Sequence, residues 1–282
     1  MLTSPAAVLT PSTVSEALSM RVDYPEATPI AGGTDLMVAL ELGAVNPPQF
    51  LDLWGLKELN AIRSHGDGSV SIGALATYNQ MVRNQAVNQA APSLVEAAKT
   101  VGAKQIQNRG TLAGNIANAS PAGDTLPVLL TLDAEVEVES AARGSRRIPF
   151  NQLYRGYRQL DLAADELITW IHLPARHPND RTHFRKVGTR LAQAISKVIL
   201  AVRLQVDGVQ VVEARVALGS VAPVPTRASS VESALVGTEI NPDVADLVSK
   251  DITPIDDIRS TQGYRMTVAQ RTLRSCLKSM VG

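Results

Sequence analysis

The sequence predicts an α+β protein of two units, with strands and helices mixed in the first unit and an antiparallel sheet with helices in the second. The chain of 282 residues is long enough for about two domains. Pro, His, Asn and Asp cluster at Pro174–Asp180 and mark a boundary. Beyond it, alternating apolar segments flank Asp207-Gly208, a strong short hairpin signal.

Composition narrows the possible functions. Hydrophobic residues make up 45% of the chain, enough to bury a substantial core. The 27 basic and 27 acidic residues cancel, so nothing indicates binding to nucleic acid or to an acidic membrane surface. No apolar run approaches the roughly 20 residues that a membrane span needs.

Cellular location follows from the N-terminus and from cysteine content. The N-terminus has no Lys or Arg before Arg21 and only the apolar patch Ala6–Leu9, so we expect no secretory signal. The single cysteine, Cys276, excludes an internal disulfide and an iron–sulfur cluster ligated by cysteines of this chain. We therefore expect a cytoplasmic protein.

The first glycine-rich motif lies between a short strand and a helix. The pattern predicts a helix over Thr13–Ser19, a strand over Pro29–Ala31 and a helix from Asp35 to Leu42 that Gly43 ends. The turn Gly32-Gly33-Thr34 directs free backbone N–H groups outward, and phosphate is a common ligand of such a turn. A plain tight turn is the alternative. A Rossmann turn is less favoured, because its glycines are spaced G-x-G-x-x-G and the two glycines here are adjacent.

Further elements of the first unit follow from periodicity and turn signals. Residues 148–157 are expected to be irregular. The predicted strands are Phe50–Leu53, Ser69–Gly73, Ala134–Val138 and Asp165–Pro174, and the predicted helices are Tyr78–Val82, Ser93–Val101 and Thr125–Leu132.

The stretch Arg109–Asp124 is the centre of the functional prediction. It is rich in Gly, Ala, Ser, Thr and Asn and has no hydrophobic period. Its glycines allow close backbone approach to another molecule, and its amides and hydroxyls supply short donors and acceptors. Asp124 precedes the apolar run Leu126–Leu132, so its carboxylate lies near a helix start. An ordinary surface loop is the alternative interpretation.

The second unit combines strands with terminal helices. The predicted strands are Thr182–Val187, Ala194–Gln205 and Val209–Gly219, and the predicted helices are Ser229–Val236, Pro242–Lys250 and Met266–Met280. Arg185, Lys186 and Arg190 form a basic cluster, which fits either a solvated face or a contact to phosphate or flavin.

The sequence contains no recognisable set of metal-ligating or catalytic residues. The spacing of the four histidines matches no metal site, and His172 is expected to be a solvent-facing strand residue. No residue pattern indicates a general acid or base. A site of glycines, amides and hydroxyls is typical of proteins whose cofactor carries the chemistry.

Two motifs in this order resemble the FAD-binding medium subunit of the molybdenum hydroxylases, the family of xanthine dehydrogenase, carbon monoxide dehydrogenase and the N-heterocycle hydroxylases. They are Ala31–Leu36, and Thr111–Ile116 with Ala119–Asp124. Where the family often has Gly-Gly, this chain has Ala113-Gly114, which could tighten the approach to the flavin. Further matching stretches extend the resemblance over nearly the whole chain: Gly156–Arg158, Asp165–Pro174, Phe184–Gly188, Gln193–Ser196 and Ser260–Arg265.

The resemblance implies a fold of the vanillyl-alcohol-oxidase type. Residues 1–175 would form the FAD-binding domain, with subdomains of about 1–56 and 57–175 that hold FAD between them, and residues 176–282 a C-terminal flavoprotein domain. The implied pyrophosphate cradle is Ala31, Gly32, Gly33, Thr34, Asp35 and Leu36. The other implied FAD contacts are Val101, Thr111, Ala113, Gly114, Asn115, Ser120, Asp124, Ile168 and Lys186.

The resemblance also implies a role in a complex. A large molybdopterin subunit would oxidise an N-heterocycle or purine, and a small subunit would relay the electrons through 2Fe–2S clusters. This chain's FAD would pass them to NAD or another acceptor, within a dimer of heterotrimers. We expect no catalytic residue and no metal ligand in this chain, and noncovalent FAD. A free-standing flavin oxidase or reductase of the same fold and a scaffold without cofactor remain alternatives.

Overall fold

The computed structural model describes residues 7–190 and 193–281. A small parallel sheet of order β1-β3-β2 begins the fold. Helix α1 follows Thr13, whose side chain accepts a hydrogen bond from the backbone N–H of Glu16. The elements of this part are β1 (Ala7–Leu9), α1 (Val14–Asp23), β2 (Thr28–Ile30), α2 (Leu36–Glu41) and β3 (Gln49–Asp52).

A five-stranded antiparallel sheet forms the middle of the fold, in the order β4-β5-β10-β6-β7. Its strands are β4 (Ile62–Ser64), β5 (Val70–Gly73), β6 (Glu135–Ser140), β7 (Gly144–Pro149) and β10 (Leu167–Leu173). Between β7 and β10 lies a small hairpin of β8 (Tyr154–Gly156) and β9 (Gln159–Leu160). Between β5 and β6 lie α3 (Tyr78–Arg83), α4 (Gln85–Ala90), α5 (Pro92–Thr100), α6 (Lys104–Gln107), α7 (Leu112–Asn118) and α8 (Leu126–Thr131).

The C-terminal part is a four-stranded antiparallel sheet of order β11-β12-β13-β14, followed by helices. Its elements are β11 (Asp180–Val187), β12 (Val198–Asp207), β13 (Gln210–Gly219), β14 (Thr226–Arg227), α9 (Ser229–Leu235), a 3₁₀ helix (Pro242–Lys250) and α10 (Gln262–Met280). Gly208, at φ +59°, turns the β12–β13 hairpin at the predicted position.

The C-terminal sheet is covered on both faces. Along β12, Val198 and Leu200 belong to a core shared with α9 and α10, whereas Ile199 and Ala201 belong to the core of the N-terminal part. This alternation has the period of two expected of a strand. The two parts of the chain are thus packed together over one face of this sheet, and the site described below lies where they meet.

Asp133 connects the two parts by charge. Its carboxylate lies 3.0 Å from Arg203, 2.9 Å from Arg215 and 3.4 Å from Arg227, all on the C-terminal sheet. Arg203 also donates to the carbonyl oxygen of Thr131 at the end of α8. These contacts fix the C-terminal end of α8 against the C-terminal sheet.

The fold class is as predicted, but several local predictions were wrong. The stretch without a hydrophobic period contains helix α7, which shows no period because only three of its residues, Leu112, Ala113 and Ile116, are buried. Residues 148–157 are not irregular: they include the end of β7 and all of β8. The predicted helix over residues 242–250 is present and is of the 3₁₀ type, whereas β12 begins at Val198 rather than at Ala194.

His172 lies on the open face of the five-stranded sheet, as alternation predicts, but its side chain is largely covered there. Its Nδ1 lies 2.9 Å from the Ser71 hydroxyl and its Nε2 lies 2.8 Å from a carboxylate oxygen of Glu137. These neighbours on β5 and β6 cover the ring, so only 16% of the side chain is exposed. Strand alternation predicted the face on which His172 lies but not that this face bears hydrogen-bonding partners.

Over the described residues, no helix has the length and apolar character needed to cross a bilayer.

Candidate functional site

A cleft of about 630 Å³ lies between the N-terminal part and the C-terminal sheet. Both parts of the chain line it. Asn115 and the 120–124 loop form one wall, Lys186 of β11 and the segment after Gln193 form another, and Arg265 of α10 contributes from the far side. The second glycine-rich motif therefore faces residues more than 60 positions further along the chain.

The first glycine-rich motif forms a turn that has no room for larger residues. A Cβ added to Gly32 would lie 1.8 Å from the carbonyl oxygen of Arg109, so this turn touches the start of the second motif directly. Gly33 has φ +72°, a conformation that favours glycine. Asp35 precedes α2 without capping it through its side chain, and of the first amides of this helix that of Met37 donates to the carbonyl oxygen of Gly33 at 3.0 Å.

The second motif is held by its own side chains. Thr111 begins α7 and accepts a hydrogen bond from the N–H of Gly114 at 2.9 Å. Asn115 accepts from the Thr125 hydroxyl at 2.7 Å, which ties α7 to the start of α8. Ala113 is 6% exposed and belongs to the buried core. The methyl group that distinguishes this chain from the family's Gly-Gly pattern thus packs into the core.

Asp124 and Lys186 form a buried ion pair at the wall of the cleft. The Lys186 Nζ lies 2.5 Å from Asp124 Oδ2, and each side chain is 9% exposed. Lys186 also donates to the carbonyl oxygen of Thr100 at 3.1 Å. Lys186 therefore does not belong to a solvated face. Asp124 does not cap α8 either, since Thr125 is the residue before that helix.

Burial dominates the titration of Asp124. Loss of solvent raises the pKa of this carboxyl to about 6, although Lys186 acts in the opposite direction. Its Oδ1 atom is buried and has no hydrogen-bond partner within the structure. A buried carboxylate oxygen without a partner is costly, so this atom is suited to accept a hydrogen bond from a bound molecule.

Three residues outside the predicted set also donate hydrogen bonds to the second motif. Ser196 donates to the carbonyl oxygen of Ala122 at 3.2 Å, and the N–H of Ser220 donates to that of Pro121 at 2.8 Å. At the tip of the β8–β9 hairpin, Arg158 donates to the Asn118 side chain at 3.2 Å. Of the three donors, Ser196 and Arg158 fall in stretches that carried the family resemblance. Ser220 falls in none of them and follows Gly219 at the end of β13.

The fifteen residues predicted to contact FAD fall into three groups in the structure. Those that line the cleft are Asp35, Val101, Asn115, Ser120, Asp124 and Lys186. Eight residues lie outside the cleft lining, either around the Gly32-Gly33 turn or at the start of α7: Ala31, Gly32, Gly33, Thr34, Leu36, Thr111, Ala113 and Gly114. Ile168 lies in the core on β10 and is 8% exposed.

These features suit a dinucleotide with an anionic pyrophosphate and a polar chain. The Gly33 turn and the uncapped start of α2 offer backbone donors to phosphate. The partnerless Oδ1 of Asp124 offers an acceptor to a ring N–H or a hydroxyl. Neither histidine nor cysteine lines the cleft in the described part of the chain. The residues present therefore fit FAD held without a covalent bond.

Two family profiles together cover almost the whole chain. Residues 4–176 match the family described as FAD binding domain in molybdopterin dehydrogenase. Residues 183–280 match the family described as CO dehydrogenase flavoprotein C-terminal domain.

Curated relatives and solved structures agree with these profiles. The glyceraldehyde dehydrogenase medium chain of Sulfolobus acidocaldarius is 34% identical, with 91% of this chain and 92% of that protein covered. The xanthine dehydrogenase FAD-binding subunit of Escherichia coli O157:H7 is 28% identical, with 96% and 94% covered. A chain of carbon monoxide dehydrogenase from Hydrogenophaga pseudoflava superposes with a TM-score of 0.93 at 26% identity, with 99% and 98% covered.

Proposed function

Because the chain belongs to the family of FAD-binding domains of molybdopterin dehydrogenases, we propose that it is the FAD-carrying electron-transfer subunit of a molybdopterin-dependent dehydrogenase or hydroxylase. Its relatives are medium chains and FAD subunits of dehydrogenases, and the chain is accordingly an oxidoreductase subunit. The cleft between the two parts of the chain is the proposed FAD site.

Each part of the site has a separate task in this proposal. The turn at Gly32-Gly33 holds the pyrophosphate through backbone N–H groups. Asn115 and Asp124 orient the rest of the cofactor by hydrogen bonds, and Lys186 keeps the Asp124 carboxylate in place. When bound, FAD supplies a carrier that takes up electrons one at a time and releases them as a pair. We propose FAD contacts at the fifteen residues that the sequence analysis named.

Partner subunits complete the proposed reaction. A large molybdopterin subunit oxidises the substrate, a small 2Fe–2S subunit delivers the electrons to this chain, and NAD or another acceptor removes them, within a dimer of heterotrimers. The proposed substrate is an N-heterocycle or purine. The xanthine dehydrogenase and nicotine 6-hydroxylase relatives support that class, whereas the glyceraldehyde dehydrogenase relative makes an aldehyde the alternative.

The division into domains remains part of the proposal. We propose an FAD-binding domain of residues 1–175, with subdomains of about 1–56 and 57–175, and a C-terminal domain of residues 176–282. The sheets support it: the three-stranded sheet lies within residues 7–52, the five-stranded sheet within 62–173 and the four-stranded sheet within 180–227.

One observation favours a subunit over a free-standing flavin enzyme. Two of the carboxylates that line the cleft are ion-paired, Asp124 with Lys186 and Asp257 with Arg265, at 2.5 and 2.6 Å. A substrate-oxidising flavin site needs a group free to take the substrate proton. These pairings support a cleft that binds a cofactor over one that deprotonates a substrate.

The test compares the chain alone with the complex. The FAD-loaded chain is mixed anaerobically with xanthine, nicotinate or glyceraldehyde, and the absorbance of oxidised flavin is followed with and without the copurified partner subunits. We expect bleaching only with the partners present, while dithionite reduces the flavin in both samples. Substrate-driven bleaching in the isolated chain, at the rate seen in the complex, would establish the free-standing oxidase instead.

A further inference from the structure

The motif Ser260–Arg265 carried part of the family resemblance, and its last residue, Arg265, lines the cleft. It begins α10: the Thr261 side chain accepts a hydrogen bond from the N–H of Tyr264 and so caps the helix. Arg265, in the first turn, points inward and is 5% exposed. A buried guanidinium at the edge of the cleft needs an explanation, since such a charge is costly unless it is paired.

Arg265 binds the end of strand β13. Its Nη1 donates to the carbonyl oxygen of Ser220 at 2.7 Å, and its Nη2 donates to Asp257 at 2.6 Å. Ser220 has φ +65°, a conformation that few residues other than glycine adopt. Arg265 therefore holds Ser220 in a backbone conformation that a free loop would seldom populate.

Ser220 in turn holds the loop that carries Asp124. Its N–H donates to the carbonyl oxygen of Pro121 at 2.8 Å. Its hydroxyl lies 2.8 Å from that of Ser196, and the Ser196 hydroxyl donates to the carbonyl oxygen of Ala122 at 3.2 Å. Two successive carbonyl groups of the 120–124 loop are thus bound by the C-terminal part of the chain.

We propose that Arg265 is a positioning residue for the flavin, acting through Ser220 and Ser196 on the 120–124 loop. The inference rests on the proposed FAD site and extends it to α10, a helix that contributes no residue to the two glycine-rich motifs. Loss of the guanidinium frees Ser220 to leave its left-handed conformation. The carbonyl groups of Pro121 and Ala122 then lose their donors, and Asp124 is held in the cleft by Lys186 alone.

A purely structural role for Arg265 would have a different consequence. Arg274 lies on the same helix and is also ion-paired, to Asp246 at 2.6 Å, but it faces away from the cleft and is 30% exposed. Arg274→Met therefore serves as the matched control for a lost ion pair on α10. The conservative variant Arg265→Lys keeps the charge but not the two-armed hydrogen bonding of the guanidinium.

The experiment measures FAD affinity and loop protection in the full chain. We expect Arg265→Met to weaken FAD binding about 10- to 100-fold, to shift the visible spectrum of the bound flavin and to speed amide hydrogen exchange in residues 120–124. We expect Arg265→Lys to restore part of the affinity and Arg274→Met to change none of the three. An Arg265→Met chain that binds FAD within twofold of wild type, with an unchanged spectrum, overturns the inference.

Two further variants keep the inference testable if Arg265→Met does not fold. Ser196→Ala and Ser220→Ala each remove one hydroxyl from the connection and are expected to weaken FAD binding about 3- to 10-fold. Unchanged affinity in both variants overturns the inference. Wild-type protein that binds no FAD overturns the proposed function itself, which distinguishes the two failures.

Discussion

Replacing Gly33 by Val is expected to abolish FAD binding while the chain stays folded. Gly33 has φ +72°, which a β-branched residue adopts only under strain, so the turn would change shape. The backbone N–H groups would then no longer converge on the pyrophosphate. Losing two or more hydrogen bonds to a charged group weakens binding at least about 100-fold. Titration of the purified variant with FAD, followed by flavin fluorescence, measures the effect.

Gly43→Val is the matched control for this variant. Gly43 also has a positive φ, +65°, but it follows α2 rather than preceding it, and nothing lies within 4 Å of an added Cβ. Both variants carry similar backbone strain, so their losses of thermal stability are expected to be similar. Stoichiometric flavin retained by Gly33→Val, or an equal loss of flavin in both variants, would exclude this turn as the pyrophosphate site.

Replacing Lys186 by Met is expected to lower the free energy of unfolding of the FAD-free chain by about 2 kcal/mol at pH 7.5, because Asp124 must then either stay a buried carboxylate without its cation or take up a proton. The two side chains are each only 9% exposed, so solvent cannot replace the lost partner. Urea unfolding of the variant and of wild type measures the difference. FAD affinity should fall as well, since the carboxylate loses its fixed orientation.

The pH dependence of this loss identifies its cause. Burial raises the pKa of Asp124 in the folded chain to about 6, above its ordinary value of 3.8. The carboxyl therefore favours folding below pH 3.8, and this contribution is lost as the pH rises through 6. Removing Lys186 removes the influence that lowers this pKa. The destabilisation should thus be largest above pH 6 and shrink below it, as the carboxyl takes up a proton.

A surface ion pair provides the comparison. Arg143 lies 2.5 Å from Asp165, as close as the buried pair, but its side chain is 52% exposed. Arg143→Met should therefore destabilise the chain much less than Lys186→Met, with little pH dependence above pH 5. If Lys186→Met and Arg143→Met destabilise the chain equally, Asp124 does not depend on Lys186 for its charge.

Local sequence signals predicted the elements that depend on local chemistry. The Asp207-Gly208 hairpin, the helix after Asp35 and most strands of the two large sheets follow from turn residues and from periodicity. These signals failed for elements that bury too few side chains to show a hydrophobic period. Strand β7 is an edge strand with four exposed residues in succession, and α7 buries only three residues, so neither shows a full period.

The site could be predicted in part for the same reason. The two glycine-rich motifs are local, and their residues carried the family resemblance. Pairings between distant residues were beyond such reasoning: Asp124 and Lys186 are 62 positions apart, and Ser220 and Arg265 are 45 positions apart. The sequence indicates that each of these side chains makes polar contacts. Only the packing of the C-terminal sheet and α10 against the rest of the chain shows which partner each side chain contacts.

The stoichiometry of released flavin tests the central claim most directly. The full chain, purified alone and saturated with FAD, is separated from excess cofactor and precipitated with acid, and the flavin in the supernatant and the pellet is quantified. We expect one FAD per chain, all of it in the supernatant. A chain that retains no flavin would contradict the proposed function, and flavin that stays in the pellet would contradict noncovalent binding.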